Sequence, residues 1–340
     1  MDEETLIKQL LARVPVEHPR LTVSAGDDAA VWEWDENYFG LFSVDTLHDF
    51  FDFDKVYHAP PYIGYKAVTT AISDICAMNG EPLFISVALG VPKGVSAAYL
   101  EGIYEGIGKA AHKYGVAVMG GDISMSTALW LSVGVVGRVE KRRLARRKGA
   151  RPKEVLCVTG DLGGAYAGLK ILQREKAVFL SNPNLQPDLS EFTYIIGRQL
   201  KPEARLDVVR FFRDVEVVPS SMVDLSDGLA KGLYALAEAS GVGFRVFLDR
   251  LPYHPQTQKV SELYEQLLTA YLLYGGEEYE LLFTLPALEF PKVEGQLGIV
   301  AIGYVSEESD ILAQDLTGQW HKVEKIGWDS IRAGDGREKG

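Results

Sequence analysis

The apolar residues of this chain follow two spacings, which alternate along the sequence. Apolar residues three and four positions apart predict helices, and alternating apolar and polar residues predict strands. In the first half, helices are predicted over residues 2–13, 61–79 and 96–114, and strands over residues 29–34, 38–44, 83–89, 116–119 and 128–137. This alternation predicts an α/β fold built of α+β layers.

The second half of the chain repeats the alternation. Strands are predicted over residues 155–159, 243–248, 280–285, 298–305 and 319–324, and helices ending near residue 173, over 191–199, over 203–213 and before residue 274. Residues 141–151 are strongly basic and have little periodicity, so they predict a connection between domains. Because 340 residues suffice for two cores, we expect an N-terminal domain over residues 1–140 and a C-terminal domain over residues 141–340.

Composition and charge limit the classes of partner. The chain is 47% hydrophobic and 24% charged, which is typical of a soluble globular protein. A net charge of −12 makes nucleic acid and anionic membranes poor partners. The acidic N-terminus lacks the apolar core of a signal peptide, and no run approaches the ~18 apolar residues of a membrane span. Cys76 and Cys157 lie in apolar runs and are predicted to be core residues in a reducing compartment, so we expect a cytoplasmic location.

One stretch carries the strongest chemical signal. Asp224, Ser226 and Asp227 fall within four residues, after a predicted strand and before a helical pattern that begins near Leu229. Two carboxylates and a hydroxyl at such a junction can hold a hard cation, and the helix N-terminus can meet a phosphate. The alternative is an ordinary N-cap, in which Ser226 or Asp227 accepts hydrogen bonds from the first amides of the helix.

Similar acidic positions recur elsewhere. Asp28, Asp45 and Asp122 lie where a predicted strand ends or begins, and each by itself is a common feature of loops. Asp74 is less ordinary, because it falls inside the apolar helix over residues 61–79, where an unpaired carboxylate is costly. If these acids converge, their repulsion requires cations. Ligands that are all oxygens indicate Mg²⁺ rather than zinc, and Mg²⁺ commonly partners the phosphates of a substrate.

The common phosphate-binding motifs are absent from the sequence, and three other features each have two interpretations. The P-loop, the dinucleotide-binding glycine motif and the protein-kinase motifs are missing. The basic residues 141–151 form either a solvated linker or a segment in which one arginine reaches nucleotide phosphates. Glu277 and Glu278 belong either to a charged loop that enters a buried strand or to a substrate contact. Trp328 either fills a core or stacks on a planar ligand.

Five motifs in order resemble one family. They read Gly-Asp-Asp-Ala-Ala-Val, Ile-Ser-Asp-Ile-Cys-Ala-Met, Gly-Gly-Asp-Ile-Ser, Asp-Leu-Ser-Asp-Gly-Leu and Gly-Gly-Glu-Glu-Tyr-Glu-Leu-Leu-Phe. Together they are similar to the thiamine-monophosphate kinases, of the aminoimidazole ribonucleotide synthetase-like superfamily. The resemblance implies that superfamily's two-domain fold, in which an N-terminal sheet domain dimerises and a C-terminal α/β domain completes the active site. It implies ATP-dependent phosphorylation of thiamine monophosphate to thiamine diphosphate by a homodimer.

The resemblance also implies roles for single residues. Several Mg²⁺ ions would be held by Asp28, Ser43, the carbonyl of Val44, Asp45, Asp74, Asp122, Asp224 and Asp227. ATP, the co-substrate, would contact Tyr104, Gly121, Asp122, Arg147 and Ser226. The acceptor would contact Asp52, Glu277 and Trp328. No side-chain base is expected, because the acceptor phosphate is already ionised and alignment with charge neutralisation suffices.

The chain departs from the family pattern after Asp45. Family members usually show Gly-x-His-Phe there, whereas this chain has Phe50 in place of the glycine and Asp52 in place of the histidine. An ionised aspartate can only accept hydrogen bonds, so we expect Asp52 to lie toward the organic part of the acceptor or to turn away from it.

Two other functions are alternatives to a thiamine-monophosphate kinase. One is that of a superfamily relative that activates another substrate through a phosphate intermediate, and the other is that of a non-catalytic nucleotide-binding homologue.

Overall fold

The described residues form two β-sheets, one from each half of the chain. The structure is a computed structural model, and it describes residues 3–14, 18–184 and 187–327. The first sheet has six strands in the order β1-β2-β3-β6-β4-β5, and only the β4–β5 pair is parallel. Its strands are β1 (Leu21–Val23), β2 (Ala30–Glu33), β3 (Tyr38–His48), β4 (Glu81–Pro92), β5 (Ala117–Ser126) and β6 (Trp130–Glu140).

The long helix α2 covers one face of the first sheet, and α3 packs against α2. The helices of this half are α1 (Glu3–Leu11), α2 (Pro60–Ala77) and α3 (Ala97–Tyr114). α2 lies against β3, β6 and α3. Glycines allow α2 and α3 to approach closely, since a Cβ at Gly64 would lie 1.9 Å from the Ile103 carbonyl oxygen and one at Gly106 would lie 1.9 Å from that of Pro61. α2 is apolar on nearly every side because every side of it is packed.

The second sheet has seven strands in the order β13-β12-β9-β11-β7-β10-β8. Its strands are β7 (Val155–Val158), β8 (Ser221–Asp224), β9 (Gly243–Phe247), β10 (Leu281–Leu285), β11 (Val300–Ser306), β12 (Ile311–Gln314) and β13 (Trp320–Lys322). The helices of this half are α4 (Gly164–Ser181), α5 (Thr193–Leu200), α6 (Leu206–Asp214), α7 (Leu229–Ser240), α8 (Pro255–Leu263) and α9 (Leu268–Tyr274). None of the helices that the structure describes is long and apolar enough to cross a membrane.

One hydrophobic core joins the two halves. Ile72 of α2 and Val135 of β6 belong to the same buried cluster as Phe212 of α6 and Phe283 of β10. α2 also packs against β8, so it is the helix that both sheets share. This position brings residues of α2 close to the C-terminal end of β8. The division of the chain into domains at residue 140 stays a prediction.

The sequence placed most elements correctly but misjudged the length of two strands. β3 continues past residue 44 to His48, so Asp45 lies within the strand and not at its end. β5 likewise includes Gly121 and Asp122, which were expected to follow a strand. The alternation of buried and exposed side chains in β3 extends to Leu47, which explains the longer strand. β1, β12 and α8 were not predicted, and α4 ends at Ser181 and not near residue 173.

Candidate active site

Three carboxylates meet where the two halves of the chain touch. Asp28 precedes β2, Asp74 lies in the last turns of α2, and Asp224 ends β8. One carboxylate oxygen of each lies within 4.8 Å of the others. Asp28 and Asp224 are buried and Asp74 is half-buried. The structure thus brings together three of the acids that the sequence singled out, and we call them the acidic cluster.

Burial and mutual repulsion keep protons on the acidic cluster. Burial, followed by the charge of Asp45 and then that of Asp224, raises the pKa of Asp74 well above its usual value. Burial and the charge of Asp28 raise the pKa of Asp224 to about 8. The pKa of Asp28 is also raised by burial, although the adjacent guanidinium of Arg147 acts in the opposite direction. Without a cation, the environment of the cluster therefore disfavours full ionisation of its three carboxyl groups.

Hydroxyl groups and one guanidinium orient the cluster. Ser43 Oγ donates a hydrogen bond to Asp74 Oδ2. Ser73 Oγ donates to Asp224 Oδ2 over 2.6 Å. Arg147 Nη2 donates to Asp28 Oδ1 over 2.8 Å, and the other oxygen of Asp28 is buried with no hydrogen-bond partner in the described residues. Fixed carboxylates with an unpartnered buried oxygen fit a hard divalent cation, which prefers oxygen ligands.

The basic run is only partly a solvated linker. Arg146 Nε donates to Asp27 Oδ2 over 2.8 Å, and the backbone amide of Arg147 donates to Asp27 Oδ1 over 3.0 Å. Together with the pair between Arg147 and Asp28, these bonds fasten the run to the turn that precedes β2. Arg142, by contrast, is 82% exposed. The linker interpretation is wrong for Arg146 and Arg147, and the ATP contact expected of Arg147 stays a prediction.

Asp45 belongs to the same region as the cluster. In β3 the side chains of Leu41 and Leu47 are buried, which places Ser43 and Asp45 on the same face of the sheet by alternation. Asp45 is the charge that most raises the pKa of Asp74. Val44 points to the opposite, exposed face, so only its backbone carbonyl can serve as the ligand that the resemblance implies.

Asp122 lies on the other face of the first sheet. Thr46, Ser132, Ala88 and Asp122 form one row across the sheet, so their side chains share the face opposite that of Asp45. Asp122 Oδ2 accepts a hydrogen bond from Ser124 Oγ over 2.9 Å and is exposed. The structure therefore does not place Asp122 in the acidic cluster, and its predicted metal and ATP contacts need a different arrangement. Gly121, another expected ATP contact, precedes Asp122 in the exposed strand β5. Tyr104, also an expected ATP contact, lies in α3 with its side chain partly exposed.

The junction after β8 is not an ordinary N-cap. α7 begins at Leu229, and its capping residue is Gly228, with no hydrogen bond from a capping side chain. Asp227 Oδ2 instead pairs with Lys231 Nζ at 3.1 Å, and Ser226 is exposed. The capping interpretation is therefore wrong. The side chains of Ser226 and Asp227 lie at the surface beside the cluster residue Asp224.

A buried lysine that sequence reasoning missed lies beside the predicted acceptor contacts. Lys66 of α2 is fully buried, and its Nζ lies 2.6 Å from Glu277 Oε1. It also donates to the backbone carbonyl of Asp52 over 3.1 Å, and Gln199 Nε2 donates to Glu277 Oε2 over 2.8 Å. One signal was available, since Lys66 is the one lysine within an otherwise apolar and small helical pattern.

Asp52 turns toward its own backbone. Its Oδ2 accepts a hydrogen bond from the amide of His48 over 2.7 Å, which closes the turn after β3. The acceptor contact expected of Asp52 stays a prediction, as does that of Glu277, whose carboxylate accepts bonds from Lys66 and Gln199. Trp328 lies outside the described residues.

The glutamates that follow Glu277 anchor the entry into β10. Arg198 lies 3.1 Å from Glu278 Oε2 and 3.0 Å from Glu280 Oε1, and Arg205 lies 2.6 Å from Glu280 Oε2. Burial raises the pKa of Glu278 to about 8. Of the two interpretations open from the sequence, the charged loop that enters a buried strand describes Glu278 and Glu280 correctly.

Comparisons with known proteins agree with this architecture. The family described as AIR synthase related protein, N-terminal domain, matches residues 26–139. The fold is shared with E. coli HypE, a hydrogenase maturation protein, at 17% identity and a TM-score of 0.68 over 97% of this chain and 100% of that one. Residues 26–139 are thus similar to the N-terminal domain of AIR synthase-related proteins, and the fold is one that HypE shares.

Relatives that match nearly the whole chain identify its family more closely. The thiamine-monophosphate kinase of Bacillus subtilis (strain 168) is 33% identical over 98% of this chain and 100% of its own length. The thiamine-monophosphate kinase of Escherichia coli (strain K12) is 32% identical over 89% of this chain and 88% of its own length. A solved structure of AaThiL complexed with AMPPCP and TMP is 30% identical, covers 96% of each chain and has a TM-score of 0.82. The chain belongs to the thiamine-monophosphate kinase family.

The first prediction concerns the buried pair of Lys66 and Glu277. Lys66→Met leaves a buried carboxylate without its cation, so we expect the free energy of unfolding in urea to fall by ~3–5 kcal/mol. The control is Lys292→Met, which removes a surface pair with Glu289 and should cost less than ~1 kcal/mol. Equal losses in the two variants would contradict the role assigned to Lys66.

The second prediction concerns pH. Because the native pKa of Asp224 is about 8 and its usual value is 3.8, the metal-free native state binds more protons than the unfolded state between these values. The free energy of unfolding should therefore fall as pH rises through this window. Asp224→Asn should reduce the fall between about pH 5 and about pH 8.5, measured by urea unfolding in EDTA, by at least ~2 kcal/mol.

The matched control is Asp214→Asn, because the Asp214 side chain is 72% exposed. This variant should keep the wild-type dependence on pH. A wild-type dependence in Asp224→Asn would mean that the cluster does not hold the excess protons.

Proposed function

We propose that this protein transfers the γ-phosphoryl group of ATP to the phosphate of thiamine monophosphate, giving thiamine diphosphate and ADP. The observation that carries the proposal is the acidic cluster, in which one carboxylate oxygen from each residue lies within 4.8 Å of the others. The full-length relatives named thiamine-monophosphate kinase support it, as does the AaThiL complex with AMPPCP, an ATP analogue, and TMP, which we take as thiamine monophosphate.

The cluster fits divalent cations that accompany ATP. Asp28, Asp74 and Asp224 would hold Mg²⁺, with Asp45, Ser43 and the Val44 carbonyl completing its surroundings. Bound there, Mg²⁺ supplies positive charge that neutralises the phosphates of the nucleotide. Ser43 and Ser73 keep the carboxylates in place through their hydrogen bonds, so little reorganisation is needed when the ion and the nucleotide bind.

The chain's own residues need not move a proton. The acceptor phosphate oxygen, already ionised, attacks the γ-phosphorus while the bond to the β-phosphate oxygen breaks and ADP leaves. Arg147, held against Asp28, supplies a positive charge at the edge of the cluster. Catalysis on this account is alignment together with charge neutralisation by the Mg²⁺ that the cluster would hold.

A homodimer is part of the proposal. The outward face of the first sheet and its edge strand β5 expose large apolar side chains, which are Phe42, Val44, Phe84, Met119, Ile123 and Met125. An edge strand with such side chains is suited to pairing with a second copy. Asp122 shares this face, so in a dimer it would lie at the contact between the copies. Within the proposal, Asp122 and Asp227 bind further Mg²⁺ ions, and Tyr104, Gly121 and Ser226 contact ATP.

The cellular location is also part of the proposal. Cys76 and Cys157 are both free and buried. Buried thiols without a disulfide suit a reducing compartment, which supports a cytoplasmic location.

The third prediction tests the function directly. Purified protein with ATP, Mg²⁺ and thiamine monophosphate should form thiamine diphosphate, followed by ³¹P NMR. Asp74→Asn should lower turnover at saturating Mg²⁺ by at least ~100-fold, about 2.7 kcal/mol of transition-state stabilisation. Asp214→Asn, an exposed aspartate away from the cluster, should keep wild-type turnover. Near-normal turnover in Asp74→Asn would remove the cluster from the reaction, and absence of product from the wild type would refute the assignment.

A further inference from the structure

A second charged cavity lies between the two halves of the chain. It has a volume of about 140 Å³ and is bordered by the end of α2, the start of β4, the end of β6 and the helix α6. Its charged lining residues, which we call the arginine cleft, are Arg138, Arg143, Arg210, Arg213, Glu81 and Glu140. Four guanidinium groups face two carboxylates there, in a chain whose net charge is −12.

Arg143 is a buried cation of the cleft that forms no ion pair in the described residues. It is 8% exposed, and its Nη2 donates to the backbone carbonyl of Val217 over 3.1 Å. No carboxylate forms an ion pair with it in the part of the chain that the structure describes. Its backbone is fixed, since its carbonyl accepts a hydrogen bond from Asn79 Nδ2 over 2.8 Å. Burial lowers the pKa of Arg143, and the charges of Glu140 and Glu216 oppose this lowering without forming an ion pair with its guanidinium.

The two glutamates do not neutralise the cleft. Glu81 is shared, since Arg213 pairs with its Oε1 and Arg138 lies 4.0 Å from its Oε2. Glu140 pairs with Arg142, which is outside the cleft, at 2.9 Å. Arg138 Nε is buried and has no hydrogen-bond partner in the described residues. The cleft thus contains a cationic side chain, that of Arg138, with an N–H group that has no acceptor in the described residues.

One acceptor lies among these donors. Asn79 Oδ1 is buried and has no hydrogen-bond partner in the described residues, and Asn79 lines the cleft. An anion that carries an O–H group can donate to this oxygen while it accepts from the guanidinium groups. Hydrogen phosphate has such a group, and sulfate at neutral pH has none. The cavity has room for a tetrahedral anion with some water but is smaller than the pockets that enclose drug-sized ligands.

The cleft is separate from the acidic cluster. Arg138 follows Val133 by five residues along β6, and Val133 pairs with Asp45 across the sheet. Five residues of strand span roughly 17 Å, so the cleft lies toward the opposite end of the strand from Asp45. Ser43, which donates to Asp74, pairs with Val135, so three residues of strand, roughly 10 Å, separate Arg138 from the position beside the acidic cluster. An anion in the cleft therefore does not occupy the place proposed for the phosphates of the reaction.

We propose that the arginine cleft binds a phosphate group that retains a P–O–H, either inorganic phosphate or a small phosphomonoester. The bound group would bridge Arg138 and Arg143 of the first half to Arg210 of α6, and so stabilise the contact between the two halves.

Calorimetric titration in EDTA at constant ionic strength tests the proposal, since without divalent cations the acidic cluster repels phosphate. Sodium phosphate should bind the wild type, and sulfate should bind at least ~10-fold more weakly. Arg143→Gln and Arg210→Gln should each weaken phosphate binding at least ~10-fold. Arg20→Gln, which removes an exposed arginine before β1 that does not line the cleft, should leave it unchanged. If Arg143→Gln fails to fold, the exposed Arg210→Gln decides the result.

Two outcomes would overturn the proposal. One is no phosphate binding by the wild type up to about 10 mM. The other is wild-type affinity in Arg210→Gln, which would place the anion elsewhere. Titration with glycerol 3-phosphate separates the two sources: tighter binding than inorganic phosphate identifies a phosphomonoester, and weaker binding identifies free phosphate. Turnover of thiamine monophosphate in the same variants distinguishes a failure here from a failure of the proposed function.

Discussion

Repulsion among the carboxylates of the acidic cluster, two buried and one half-buried, is the constraint on which the site depends. Two unit charges ~4 Å apart repel by roughly 4 kcal/mol at an effective dielectric constant near 20, and Asp28, Asp74 and Asp224 lie in that range. The core shared by α2, β6, α6 and β10 offsets this cost by holding the two sheets together. Two serine hydroxyls and Arg147 fix the positions of the carboxylates without cancelling their charge. The protein therefore maintains an arrangement that a bound cation would relieve.

Most positive side chains near the site form ion pairs with acids outside the acidic cluster. Lys66 forms an ion pair with Glu277, and Arg198 forms ion pairs with Glu278 and Glu280. These pairs fix the segments that carry the site, and they leave the acidic cluster with Arg147 as its main cationic neighbour. Catalysis by metal-assisted alignment explains this pattern, because the positive charge would arrive with the substrate nucleotide and its ions.

The sequence predicted the chemistry of the site better than its geometry. Asp74 was recognisable because a carboxylate in an apolar helix is costly, and Asp224 because it precedes a helix pattern beside a second acid. The face occupied by Asp122 was not predictable, since it depends on the register of β5 and a shift of one residue reverses it. Lys66 and Glu277 are 211 residues apart, and only the tertiary structure brings them together. The extension of β3 beyond residue 44 was missed because its polar residues read as the end of a strand.

The most direct test of the account is a crystal structure determined with Mn²⁺ and an ATP analogue, using anomalous scattering to locate the metal. Mn²⁺ takes the same oxygen ligands as Mg²⁺. The account predicts an anomalous peak at coordination distance from carboxylate oxygens of Asp28, Asp74 and Asp224, next to the nucleotide phosphates. Metal bound by the nucleotide alone, with these three carboxylates uncoordinated, would contradict it.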